Sequence, residues 1–206
     1  MSTTEALVVP AIGPDSAGLL MTPEEFDAIT EYDDLYSYEL IRGVLVVNPI
    51  PSEQEAEPNE LLGFFLNLYR EQHPQGAALD LTLPGRYVRL PESRRKADRV
   101  IWAGLGRRPN PRDDVPAIVV EFVSKGKRNW RRNYIEKRRE YLELGILEYW
   151  IIDRFRRILT VVRNDPAGAA ETVIPEDGTY RPPLLPGFEL PLARLLAAAD
   201  AWSDLD

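Results

Sequence analysis

Glu121 and Lys137 are charged residues where the surrounding sequence calls for apolar ones, and Asp98 stands between a basic segment and an apolar strand. Glu121 interrupts the run Ala117, Ile118, Val119, Val120, Phe122, Val123, which is apolar enough for a strand covered on both faces. Lys137 falls on the stripe Trp130, Tyr134, Tyr141, Leu144, whose spacings of 4, 3, 4 and 3 keep all five residues on one helix face. Asp98 opens the short apolar run Val100, Ile101, Trp102. A buried carboxylate or ammonium without a partner is costly, so each needs a counter-charge, a metal ion or a wet cleft. If the strands carrying Asp98 and Glu121 are neighbours, both carboxylates point into one notch. Two converging carboxylates repel unless a cation lies between them, and oxygen-only ligands favour Mg2+ or Mn2+. A lysine delivered to the same notch completes a set suited to phosphodiester hydrolysis. There the metal activates water, and the lysine positions that water or steadies the pentacovalent phosphate. The alternative is a purely structural Glu121–Lys137 ion pair.

These residues must be positioned by a β-α-β unit. Residues 117–153 read as an apolar strand, a basic turn, a helix of several turns and a second apolar strand, EYWIID. Upstream, Thr22, Pro23 and Glu25 give an N-cap, a first-turn proline and a capping-box acid for a short helix. YELIRGVLVVN, residues 38–48, predicts a hairpin turning at Arg42 and Gly43, with Glu39 in its first strand. Residues 50–58 read as an acidic, proline-bounded loop before a helix over 58–72. Extended segments follow at 78–83 and 86–90, then a basic stretch leading to a short strand at 99–102. After the central unit come a strand at 157–163, an edge strand over 172–180, a proline-rich crossing segment at 182–191 and a closing helix at 192–199. The expected fold class is mixed α/β, a mixed central sheet flanked by helices with an added N-terminal hairpin. The expected organisation is a flexible tail over 1–20, one domain over 21–198 and a short tail over 199–206.

Composition narrows the chemistry. The chain has 206 residues, no cysteine and one histidine, His73, so thiolate nucleophiles, disulfides and multi-histidine metal sites are excluded. His73 precedes Pro74 at a helix end and reads as a surface or capping residue. The N-terminal stretch lacks the basic region of a signal peptide, and no apolar run approaches membrane-spanning length. A soluble cytoplasmic protein with no membrane partner and no small organic cofactor is therefore expected. The net charge of −8 is unevenly spread: residues 1–85 carry −13, residues 86–139 carry +11 and residues 140–206 carry −6. A positive field within an acidic protein suggests a polyanion site. Lys125, Lys127 and Arg128, in the turn before the helix, are candidate phosphate contacts. Arg131, Arg132, Arg138 and Arg139 flank the buried stripe, either as solvated helix charges or as phosphate contacts.

The words YELIRGVLVV, ADRVIW, IVVEFVS, YIEKRREYLELGI leading into EYWIID, and LLPGFELPLARLL occur in this order over residues 21–196. In that series the chain resembles the restriction-endonuclease family greatly expanded in cyanobacteria, within the PD-(D/E)XK nuclease superfamily. The resemblance implies a restriction-endonuclease-like core and Mg2+-dependent hydrolysis of DNA by a homodimer. It assigns Asp98 and Glu121 as catalytic metal ligands, the Phe122 backbone carbonyl as a further ligand and Lys137 as the catalytic lysine. Glu39 matches an acid of the YEL word and is implied as a ligand or a supporting group. The sequence departs from the pattern at Ala97, in place of the PD proline, and at Val123, where the superfamily lysine usually stands. It also has Asn133 one helical turn before Lys137, where an aspartate is expected. Asn133 and the acidic flanks favour a second reading, a catalytically silent nucleic-acid-binding or interaction protein that keeps the fold. No base-reading module is recognisable, so sequence specificity is not encoded in a familiar form.

Overall fold

The computed structural model describes residues 11–166 and 168–203. The fold is mixed α/β, and the single domain expected over 21–198 consists of two compact units, Met1–Ile50 with Tyr87–Lys96 and Pro51–Arg86 with Ala97–Asp206. Two strands run through both: β3 (Leu79–Leu90) and β4 (Ser93–Ala103), which pair with each other.

In the first unit, α1 (Pro23–Asp27) starts with the expected capping box. Thr22 Oγ1 accepts from Glu25 N at 3.1 Å, and Glu25 Oε2 accepts from Thr22 N at 2.6 Å. β1 (Tyr36–Ile41) and β2 (Val44–Pro49) form the expected hairpin. Arg42 and Gly43 both take positive φ, 50° and 77°, which is the two-residue turn whose twist suits paired strands. Ile12, Phe26, Tyr38, Leu40 and Leu45 make a small core. Ile12 explains why residues 11–20 are not the expected tail. It is buried, and beyond it Gly18 N donates to Leu45 O and Leu45 N to Leu19 O, both at 2.8 Å. Residues 1–10 of that tail lie outside the described residues, as do residues 204–206.

In the second unit β4, β5 (Ile118–Phe122), β6 (Glu148–Asp153), β7 (Ile158–Asp165) and β8 (Gly168–Pro175) lie side by side in that order. β5 and β6 are parallel and the other neighbours antiparallel. One face of this sheet, with Ile118, Val120, Phe122, Trp150 and Ile152, packs in one core with α2 (Glu53–Gln72) and α5 (Leu192–Asp200). The crossover from β5 to β6 consists of α3 (Lys127–Arg131), a wider π-helical turn over Arg132–Lys137 and α4 (Arg138–Leu144). Its residues Tyr134, Lys137 and Tyr141 are buried. With helices on both faces, β5 and β6 are buried at every residue, hence their continuous apolar runs.

Several boundaries differ from expectation for identifiable reasons. α2 begins at Glu53 rather than Pro58, because Ser52 and Glu55 already form a capping box and Pro58 is carried inside the helix. The two segments expected at 78–83 and 86–90 are one strand, β3, which passes through Gly85 at φ 59°. β4 begins at Ser93 because its basic residues have partners: Arg94 forks onto Asp27, and Arg99 bonds Asn59. β8 lies at 168–175, and the end of the expected edge strand instead forms β9 (Thr179–Tyr180), paired with β10 (Leu190–Pro191). Residues 199–203 pack rather than trail. Ala199 is buried, Asp200 pairs with Arg157 at 2.8 Å, and Trp202 O accepts from Gln54 Nε2 at 3.2 Å.

Arg99 generates a test of this packing. Its guanidinium is buried, donating to Asn59 Oδ1 and Asn59 O at 2.8 Å and to Thr82 Oγ1 at 3.2 Å. A Cβ added at Gly63 would lie 2.6–2.8 Å from that guanidinium. Helix propensity alone makes alanine better than glycine by about 1 kcal/mol. Overpacking a held, buried group costs about 1–3 kcal/mol and should win. Gly63→Ala is therefore expected to lower the urea unfolding free energy. A more stable variant would mean that Arg99 is not fixed there.

Candidate active site

Strand alternation decides which side Glu121 takes. Ile118, Val120 and Phe122 face the α2–α5 core, so Val119 and Glu121 point to the opposite face, where the crossover lies. There Lys137 Nζ donates to Glu121 Oε1 at 2.8 Å, and the Tyr141 hydroxyl donates to the same oxygen at 3.0 Å. Both charged side chains are 2% exposed. The expected helix stripe is thus what delivers the ammonium, although it runs through a π-turn, a distortion often found at functional sites. Trp130, at its N-terminal end, is 41% exposed.

Asp98 reaches the same place from β4. In the ladder between β4 and β5, Arg99 lies opposite Val120 and Val100 opposite Val119. One step further along that register, Asp98 falls opposite Glu121. Its Oδ2 accepts from Phe122 N at 2.6 Å, so the carboxylate, rather than a ladder carbonyl, satisfies this amide. From α2, Asn59 Nδ2 donates to Asp98 O at 2.8 Å and fixes the strand. Burial pushes the Asp98 carboxyl up to about 7, and the neighbouring Glu121 carboxylate adds to the rise. Lys137 and the Phe122 amide oppose it. Two carboxylates and one ammonium thus share a poorly solvated space.

Two tyrosines complete the surroundings. Tyr149, expected to be a core aromatic, is fully buried, and its hydroxyl donates to Asn133 O at 3.1 Å. Its ionisation is pushed well up by burial, then by Glu121 and Asp98, which places it against the cluster. Tyr141, whose ring meets Tyr149 edge-on at 5.2 Å, was legible only as part of the apolar stripe. The signal for its hydroxyl is its spacing of four from Lys137. Asn133 is 1% exposed, and its side-chain Oδ1 has no hydrogen-bond partner among the described residues. Such a buried acceptor carries a penalty of about 1–3 kcal/mol.

The remaining expected site residues are placed as follows. Glu39 belongs to the first unit. There it is buried, with Oε1 accepting from Lys96 N at 3.0 Å and Oε2 from Asn48 Nδ2 at 3.3 Å. Lys125, Lys127 and Arg128 are exposed and make no ion pair with a described residue. Arg131 is exposed and lies 3.4 Å from Glu136, while Arg132 is half-buried. Arg138 pairs with Glu171 and Arg139 lies 3.9 Å from Glu143, so these two serve the helix surface. Asp153 ends β6 as expected, accepting from the amides of Phe155 and Arg156 at 3.0 Å and from the Tyr134 hydroxyl at 3.1 Å. His73 caps α2, with Nδ1 accepting from Gln75 N at 3.1 Å. Among the described residues no three His, Cys, Asp or Glu side chains gather as a metal cluster. No described helix is long and apolar enough to cross a membrane.

Comparison with known proteins adds a family and a fold. The sequence pattern of the family described as "Putative restriction endonuclease" matches residues 23–193. Among solved structures, "a putative nuclease belonging to DUF820" from Anabaena variabilis matches with a TM-score of 0.64 at 14% identity. The match covers 87% of this chain and 99% of that one, and shows a shared fold. No curated protein matches the chain.

The raised Asp98 carboxyl makes a prediction for the metal-free protein. Its folded value of about 7 lies above the ordinary 3.8, so the unfolded chain ionises first as pH rises between them. Ionisation therefore favours unfolding across that window, and the penalty is complete only above about 7. Asp98→Asn removes it while its amide oxygen can still accept from Phe122 N. In chelator-containing buffer the variant should gain stability over wild type progressively from pH 4 to 7, with a constant gap above. Thermal melts with a pH-independent difference would show that Asp98 is not held beside Glu121.

Proposed function

The chain belongs to the family described as "Putative restriction endonuclease", and from that membership and the Asp98–Glu121–Lys137 geometry we propose a metal-dependent endonuclease that hydrolyses DNA phosphodiester bonds. The surplus carboxylate carries this reading. A structural ion pair needs only Glu121 and Lys137, yet Asp98 stands beside them, its charge opposed by Lys137 and the Phe122 amide and disfavoured by burial and by Glu121. Perturbed carboxylates of this kind cluster at functional sites.

The donor set fits a hard cation. The Asp98 and Glu121 carboxylates with the Phe122 carbonyl are all oxygen, and Mg2+ or Mn2+ completes its shell with water. The ion, when bound, lowers the pKa of its water and offsets charge on the phosphate. Glu121 is held for this role by two donors on one oxygen, Lys137 Nζ and the Tyr141 hydroxyl. An ammonium has three N–H donors, so Lys137 can hold Glu121 and still orient water or a phosphate oxygen. Lys125, Lys127 and Arg128 supply backbone phosphate contacts, with Arg131 and Arg132 following along the helix. A homodimer would suit cleavage of both strands of a duplex.

Asn133 favours the second reading, a fold that binds nucleic acid without cutting it, because an amide there replaces the expected carboxylate. Plasmid nicking separates the two. Asp98→Ala, Glu121→Ala and Lys137→Ala should each reduce Mg2+- or Mn2+-dependent nicking by at least roughly a hundred-fold, with circular dichroism unchanged. Calorimetric titration with Mg2+ or Mn2+ should show binding to wild type and none to Glu121→Ala. Metal binding without nicking would favour the silent reading. Full activity in all three variants would remove the site assignment, and absence of metal binding would leave Glu121 and Lys137 a structural pair.

A further inference from the structure

An exposed tryptophan stands at the end of the catalytic stripe. Trp130 is 41% exposed, although Tyr134, Lys137 and Tyr141 on the same stripe are 9%, 2% and 0% exposed. Leaving part of an indole in water forgoes the gain of burying it. The ring is not loose. It stacks on Tyr134 with centroids 5.1 Å apart and planes 22° from parallel. Tyr134 is fixed in turn by its hydroxyl bond to Asp153 at 3.1 Å and by the Arg156 guanidinium 5.6 Å from its ring centre. The exposed cations Lys127 and Arg128 stand three and two residues before the tryptophan. A rigid aromatic with exposed surface, flanked by unpaired cations, has the composition of a stacking platform for a nucleic-acid base.

We propose that Trp130 stacks an unpaired base, so that the chain binds single-stranded DNA or a frayed strand end in preference to closed duplex. This rests on the nucleic-acid reading above and specifies its substrate. Bases in a duplex are stacked on one another and present no free face, whereas every unpaired base does. Lys127 and Arg128 take the adjoining phosphates. Trp130 precedes Lys137 by seven residues, roughly 10 Å along a helix, so the stacked nucleotide lies close to the bond addressed by Glu121 and Lys137.

The test measures binding in chelator-containing buffer, where nothing is cut, using a fluorescent oligothymidine and a fluorescent closed hairpin duplex. Wild type should bind the oligothymidine more tightly than the hairpin. Trp130→Ala should weaken oligothymidine binding roughly ten-fold, the effect of losing about 1.4 kcal/mol of stacking, and leave hairpin binding nearly unchanged. Trp130→Phe should restore most of the loss. The salt dependence of affinity should be the same in Trp130→Ala as in wild type, since stacking neutralises no phosphate, and shallower in Lys127→Ala with Arg128→Ala. Oligothymidine should quench tryptophan fluorescence in wild type and not in Trp130→Phe. Because alanine is a strong helix former at an exposed site, the variant should keep its circular dichroism spectrum.

Equal binding of oligothymidine by Trp130→Ala and wild type would overturn the inference alone, provided that plasmid nicking persists. An equal loss on both probes would do the same. A lower sedimentation mass in Trp130→Ala would assign the ring to a second copy of the chain instead. Failure of wild type to bind either probe would overturn this inference. Metal-dependent plasmid nicking by the same protein would then keep the nuclease reading standing, and its absence would remove that reading too.

Discussion

The structure is organised around a charge in a strand that has no solvent face. β5 is covered by helices on both sides, so Glu121 cannot turn toward water whichever way alternation points it. It must be met by something brought to it. Lys137 and Tyr141 do this from the crossover, four residues apart on one helix face, and their convergence on one oxygen fixes how that helix is rotated against the sheet. The buried face of the crossover is therefore set by polar contacts as well as by burial of Tyr134 and Tyr141. Removing a single partner would strand a buried charge, which is why such a pair resists piecemeal loss.

The positive block of the sequence is less available than its charge suggests. Arg89 and Arg94 converge on Asp27, Arg99 is enclosed by Asn59 and Thr82, Arg107 clasps Asp114 at 2.6 Å, and Arg138 meets Glu171. Much of the local excess therefore holds the protein together. Among the cations left outward are Lys125, Lys127 and Arg128, in the turn that follows the strand carrying Glu121. Arg86, Arg108 and Arg112 also stay exposed, but they are scattered, whereas the three in this turn are close in sequence and adjoin the exposed indole.

How much was legible follows from whether a residue's partner is local. The hairpin turn at Arg42 and Gly43, the Thr22 cap and the β-α-β unit depend on neighbours in sequence, and the chain reads correctly there. Glu121 and Lys137 are legible because each violates an apolar pattern that is itself local, and Asp98 because it stands at the head of an apolar strand where the family's motif aspartate falls. β4 was read too short because buried arginines look like loop residues until Asp27 and Asn59, some 67 and 40 residues away, are supplied. α2 extends five residues N-terminal to the expected start because its cap, Ser52 with Glu55, lies inside the acidic stretch 50–58 that reads as a loop. The polar roles of Tyr141 and Tyr149 could not be separated from core packing, since a tyrosine on an apolar face looks the same with or without a hydroxyl partner.

Asn133 bears on how the site balances charge. Asp98, Glu121 and Lys137 together carry one net negative charge when both carboxylates are ionised. The proposed divalent cation would turn this into one net positive charge, which attracts the single negative charge of a phosphodiester. An aspartate at position 133 would cancel that excess and add a third carboxylate to a space where Asp98 is already hard to ionise. An asparagine keeps a buried acceptor there, Oδ1, without the charge. On this accounting the departure from the family pattern does not by itself silence the site. In the proposed nuclease it would trade metal holding for a stronger pull on the substrate phosphate.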